Sequence, residues 1–119
     1  MTTIKQEGLI CKRVNGEGVC NIERVFRHRN SGEGVEWGHG GSGPDDLALL
    51  VCDFIVRDLG MTGAEVKLFK GSCCENALSI YQDFKWRFIA TMPKEGGHVP
   101  YNDMKEWVLN KLQDVKGNN

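Results

Sequence analysis

The sequence predicts one α+β domain, a small antiparallel β-meander of about three strands packed against three helices. Three observations lead there. An Asn15-Gly16 pair interrupts an early stretch that alternates apolar and polar residues, and Asn-Gly suits a two-residue hairpin turn because both positions need positive φ. Three later stretches place apolar residues at helical spacing. No repeat, linker or low-complexity tract divides the 119 residues, so residues 1–119 read as a single domain, with 1–7 and 116–119 expected to fray.

A turn at Asn15-Gly16 sets Val14 opposite Glu17, Arg13 opposite Gly18, Lys12 opposite Val19 and Cys11 opposite Cys20. Leu9, Cys11, Cys20, Ile22 and Phe26 then share one face, so turn chemistry and apolar pattern agree on the register. The second strand is expected to run to about His28, with a turn at Asn30 to Gly34 and a returning third strand at Val35 to Trp37. A helix follows from about Pro44 to Leu59, with Leu47, Leu50, Val51, Phe54 and Ile55 inward and Gly60 as its cap. Val66 to Phe69 reads as a short edge strand or a loop. The capping-box pattern Ser72-Cys73-Cys74-Glu75 opens a second helix that runs to about Met92. Its core face holds Leu78, Tyr81, Phe84 or Lys85, Phe88, Ile89 and Met92. A third helix spans Tyr101 to Val115, with Met104, Trp107, Val108 and Leu112 inward.

Composition narrows the function classes. A net charge of −1 provides no global field toward nucleic acid or an anionic membrane. No stretch reaches the roughly 18 apolar residues of a membrane span, and the first residues lack a signal-peptide plan. Five cysteines, an odd number without a C-x-x-C pair, point to reduced thiols and a cytoplasmic location.

The densest chemical signal is Gly38-His39-Gly40-Gly41-Ser42-Gly43-Pro44-Asp45-Asp46. It matches G-x-G-x-x-G literally, but a dinucleotide site needs a buried parallel strand before it and a second one carrying the acid. Here a short meander strand precedes it, and Asp58 falls on the helix. The phosphate-loop pattern fails where Pro44 replaces its lysine. Pro44 removes an N–H donor, and Asp45 and Asp46 occupy the helix N-terminus that an anion would need. The nucleophile elbow G-x-S-x-G fails at Pro44 as well. The structural reading of Ser42 is a helix cap, with Asp45 reaching back. Such a cap leaves the number of glycines unexplained.

Other candidates each have a packing alternative. Cys73 and Cys74 would fall in the first turn of a helix, where thiol pKa is lowered, yet no basic partner is placed beside them and Glu75 opposes the effect. Cys11 and Cys20 face one another, so a disulfide or half a metal site is conceivable. Four zinc ligands cannot be assembled, and packing is preferred. Lys12, Arg13, Arg24, Arg27, His28 and Arg29 make the hairpin basic, but Glu17, Glu23, Glu33 and Glu36 interleave, so nucleic acid is disfavoured. Trp86 is balanced between an interface anchor and a lateral cap on the core.

Trp37-Gly38-His39-Gly40-Gly41-Ser42-Gly43-Pro44 with Leu47-Ala48-Leu49 resembles the W-G-Y-G-G-S-G-P…L-A-L signature of an uncharacterised family of small bacterial and phage proteins, a domain of unknown function. Ala77…Tyr81-Gln82-Asp83-Phe84-Lys85…Ile89-Ala90 resembles that family's A…Y-Q-x-F-K…I-A helix, and the resemblance covers about residues 9 to 112. His39 stands in place of a tyrosine, and Asp45-Asp46 in place of a small residue and Gln. The resemblance implies a phage or mobile-element setting and no mechanism.

The reading that follows is a small non-enzymatic binding or inhibitory protein of that type, with no catalytic residues, cofactor or metal. Its contact surface is expected at Trp37, His39, Gly40, Gly41 and Ser42, with Arg27 and Arg29 nearby, and its partner is a protein. The alternative is a small anionic ligand or nucleotide held by the Gly40 to Gly43 N–H groups and His39.

Overall fold

Asn15 (φ 53°) and Gly16 (φ 80°) form the hairpin turn, and all four strand pairs adopt the register that the turn dictates. The computed structural model describes residues 3–22, 35–68 and 71–117, with side chains to residue 114. Strands β1 (Leu9–Val14) and β2 (Glu17–Cys20) make the hairpin. β2 stops well short of His28 because the Asn21 side chain takes over the pairing. Its Oδ1 accepts from the Ile10 N–H at 2.9 Å, and its Nδ2 donates to the Gly8 carbonyl at 2.8 Å. Phe26 and the turn expected at 30–34 lie outside the described residues.

The third strand of the sheet is not Val35 to Trp37, which has no strand structure. That segment packs across β2 instead: a Cβ on Gly18 would lie 2.3 Å from the Val35 carbonyl and 2.9 Å from the Trp37 ring. The third strand is β5 (Gly96–Val99), antiparallel to β1, giving the order β2-β1-β5. Its Gly-Gly-His-Val sequence carries no alternating signal. Gly96 is needed because its φ is 127° and a Cβ there would sit 2.2 Å from the Cys11 carbonyl.

The central helix α2 (Ser42–Asp58) is apolar over most of its circumference, and Leu47, Ala48, Leu49, Leu50, Val51, Cys52, Ile55 and Val56 are all buried. Gly60 (φ 70°) closes it: its N–H bonds the Arg57 carbonyl and the Met61 N–H bonds the Val56 carbonyl, a Schellman arrangement. Strands β3 (Glu65–Lys67) and β4 (Ser72–Cys74) form a separate two-stranded ladder. Residues 72–74 are therefore strand, and helix α3 (Glu75–Phe84) begins only after them. The cause is tertiary. Buried Asp53 of α2 accepts the Cys74 N–H at 2.8 Å and pairs with Arg57, which reaches Glu65.

α3 continues directly into a π-helical turn, Lys85–Ile89. Helix α4 (Tyr101–Gly117) completes the core with Met104, Val108 and Leu112. Of the N-terminal residues expected to fray, Ile4–Glu7 form the one-turn helix α1. It is closed by a reciprocal Thr3–Gln6 capping box and held by buried Ile4. The architecture is α+β. Among the described residues no helix is long and apolar enough to cross a membrane.

Candidate functional site

Trp37 roots the glycine loop. Its ring is fully buried, its Nε1–H donates to the Lys94 carbonyl at 3.1 Å, and the Arg13 guanidinium lies 4.1 Å from the ring centroid. Arg13 also donates to the Lys94 carbonyl at 2.9 Å and pairs with Glu36 at 3.0 Å. Trp37 is thus an anchor and not an exposed contact. Gly38 turns the chain away from it with φ 82°, and its N–H bonds the Ile89 carbonyl at 3.0 Å. The loop is therefore tied at its base to the π-helical turn.

His39, Gly40 and Ser42 are exposed and Gly41 is half-buried. The Gly41 N–H donates to His39 Nδ1 at 3.1 Å. Gly41, and not Ser42, is the N-cap of α2, with no side-chain capping bond. Ser42 is the first helical residue and points to solvent. Asp45 does not reach back to cap the helix. Its carboxylate turns inward to Lys85 Nζ at 2.8 Å, and Lys85 Nζ also donates to the Gly40 carbonyl at 3.2 Å. Lys85 is 4 % exposed and Asp45 7 %, so one buried ion pair ties the helix tip, the loop and the π turn together.

The sequence left the inward residue open between Phe84 and Lys85, and both are buried on one wide helix face. In the π turn that starts at Lys85, the Ala90 N–H bonds the Lys85 carbonyl at 2.8 Å across one extra residue. Trp86, the next residue, faces outward and is 58 % exposed. Its ring lies over Gly40, where an added Cβ would come within 2.5 Å of the indole. Lys85 Nζ is 4.7 Å from the same ring, a cation–π contact. Gly40 is bare because Trp86 covers it. This Trp86–Gly40–His39 surface on a Lys85–Asp45 foundation is the candidate site. Pattern reasoning reached both halves separately, the loop and the Trp, but had no means to join residues 46 positions apart.

Among the described residues the remaining candidates do not gather around it. Arg27 and Arg29, with Arg24 and His28, lie outside the described residues. Cys73 and Cys74 are fully buried on β4, with Cys74 as the N-cap of α3 and neither residue inside its first turn. Desolvation, the largest cause, raises each thiol to about 11, which suits packing and not nucleophilic chemistry. The imidazole of His98, on β5, contacts the Glu7 carbonyl. Among the described residues no hydrogen bond joins Ser42 to a histidine, and no group of three potential ligands could hold a metal ion. A concavity of about 430 Å³, lined by Arg87, Phe88, His98, Asp103, Glu106 and Trp107 among others, flanks the π turn.

Searches of curated proteins and of solved structures return no match. The model of a family of unknown function, DUF6166, matches residues 3–110 of the chain, nearly its whole length, and the protein belongs to that family.

Proposed function

We propose that this protein works by binding, and so inhibiting, another protein in the cytoplasm, as small phage and mobile-element proteins do, with Trp86, His39 and Gly40 at the centre of its contact surface. One observation carries the reading. An indole that is 58 % exposed is not loose but seated on the glycine loop, above a buried ion pair. Trp is enriched among residues that dominate binding energy, and a side chain held in place before binding loses little entropy on contact. Gly40 has a role in this reading: with no side chain, it lets the edge of the indole approach bare backbone.

The small-anion alternative has weaker support. The Gly41 N–H is engaged by His39, the Gly38 N–H by Ile89, and Trp86 covers Gly40. Asp45 and Asp46 keep carboxylates beside the helix N-terminus, where an anion would have to sit.

Trp86→Ala tests the proposal. At so exposed a position it should fold and melt like the parent, yet weaken partner capture by about 30-fold or more, the scale of a hot-spot residue. Equal capture by variant and parent would refute the assignment. A thermal shift with nucleotides or phosphate, absent from a His39→Ala variant, would favour the anion reading instead.

A further inference from the structure

Cys11 and Cys20 are direct partners across the hairpin, and their kind of pairing matters. The residues flanking a two-residue turn exchange both backbone hydrogen bonds, and pairs then alternate. Val14↔Glu17 is hydrogen-bonded, Arg13↔Gly18 is not, Lys12↔Val19 is, and Cys11↔Cys20 is not. The Ile10 N–H confirms the phase, pointing toward β2 to reach Asn21. Non-hydrogen-bonded partners bring their Cα atoms to about 4.5 Å with side chains closest, and a disulfide spans Cα separations of about 4.4–6.8 Å. The backbone therefore already stands where a bridge needs it. Access is graded: Cys20 is half-buried and Cys11 is 3 % exposed, whereas Cys52, Cys73 and Cys74 are fully buried.

We propose that Cys11 and Cys20 form a reversible disulfide by exchange with a low-molecular-weight disulfide such as oxidised glutathione, bracing the hairpin that walls in Trp37. The Cys20 thiolate attacks one glutathione sulfur. A protein–glutathione disulfide forms, and one glutathione leaves as a thiol carrying the proton Cys20 gave up. The Cys11 thiolate then attacks the Cys20 sulfur, and the second glutathione leaves with the proton from Cys11. Two protein thiols are oxidised and one small disulfide is reduced to two thiols. Burial pushes the Cys11 thiol up to about 12 and raises the Cys20 thiol as well, so both exchanges are slow at neutral pH, and the second step gains from being intramolecular between facing residues.

The structural consequence falls on the candidate site. Gly18 sits under the Trp37 ring and Arg13 stacks on it, both between the bridged positions and the turn. A bond at the open end of the ladder holds that wall in register.

The experiment is incubation of the folded, reduced protein with oxidised glutathione, followed by intact-mass measurement and peptide mapping. The expected product has lost two hydrogens, carries a Cys11–Cys20 cross-link, reverts with dithiothreitol, and melts roughly 5–10 °C higher than the reduced form. Cys20→Ala should fold and show neither the mass loss nor the shift. Protein that stays reduced, stops at a glutathione adduct, bridges through other cysteines, or loses the two hydrogens even as Cys20→Ala would overturn the proposal.

Discussion

Lys85→Met removes the cation from beneath the glycine loop while nearly preserving side-chain length. The Asp45 carboxylate, 7 % exposed, then loses the ammonium at 2.8 Å, and the Gly40 carbonyl loses its donor at 3.2 Å. Removing one partner of a buried pair destabilises by about 3–5 kcal/mol, because the remaining charge loses its ion-pair partner while it stays out of water. Unfolding entropy is about 2.1 cal/mol/K per residue, which for 119 residues is about 0.25 kcal/mol/K. The expected fall in Tm is therefore roughly 12–20 °C. Against a total stability of about 5–15 kcal/mol, this is a large share. Calorimetry on the parent, Lys85→Met, Asp45→Asn and the double variant measures it. The double variant should be more stable than the sum of the single losses predicts, since the two side chains act as one pair. A Lys85→Met protein melting within about 2 °C of the parent, the range of an ordinary surface change, would refute the foundation described for the site.

Three further outcomes are expected. Gly40→Ala should cost less than about 1 kcal/mol, since only the far edge of an exposed ring must move, but it should lift Trp86 off the loop, read as easier acrylamide quenching of its fluorescence. Gly38→Ala should destabilise by about 1–2 kcal/mol in urea unfolding because a Cβ is disfavoured in that left-handed conformation, its φ being 82°. Asp58 is held below the usual carboxylate range, first by its bond to Lys5 and then by the Tyr101 hydroxyl at 2.7 Å. A depressed pKa stabilises the fold above the unfolded value of about 3.9, and that contribution disappears as pH falls through the lower folded value. Asp58→Asn should thus cost less than about 1 kcal/mol at neutral pH and flatten the acid limb of the stability curve below about pH 4; an unchanged acid limb would exclude the assigned role.

What could be read from the chain was what neighbours in sequence decide. Asn15-Gly16 carries its own turn geometry, so the β1–β2 register followed to the residue. The wide apolar stripe of α2 and the Gly60 stop likewise depend on local spacing and backbone conformation. Tertiary contacts decided the rest. β5 became the third strand because Gly96 admits the Cys11 carbonyl, an approach no apolar pattern announces. Ser72 to Cys74 became strand because Asp53, on another element, takes the Cys74 N–H. Asp45 looked like a helix-tip carboxylate and Lys85 like an awkward member of an apolar face. Only folding shows that each is the other's partner, and that Trp86, next to buried Lys85, lies against Gly40. Periodicity measures which face a residue occupies along one helix. It has no access to a charge pair or a ring-on-backbone contact between distant segments, because those energies exist only once the segments have met.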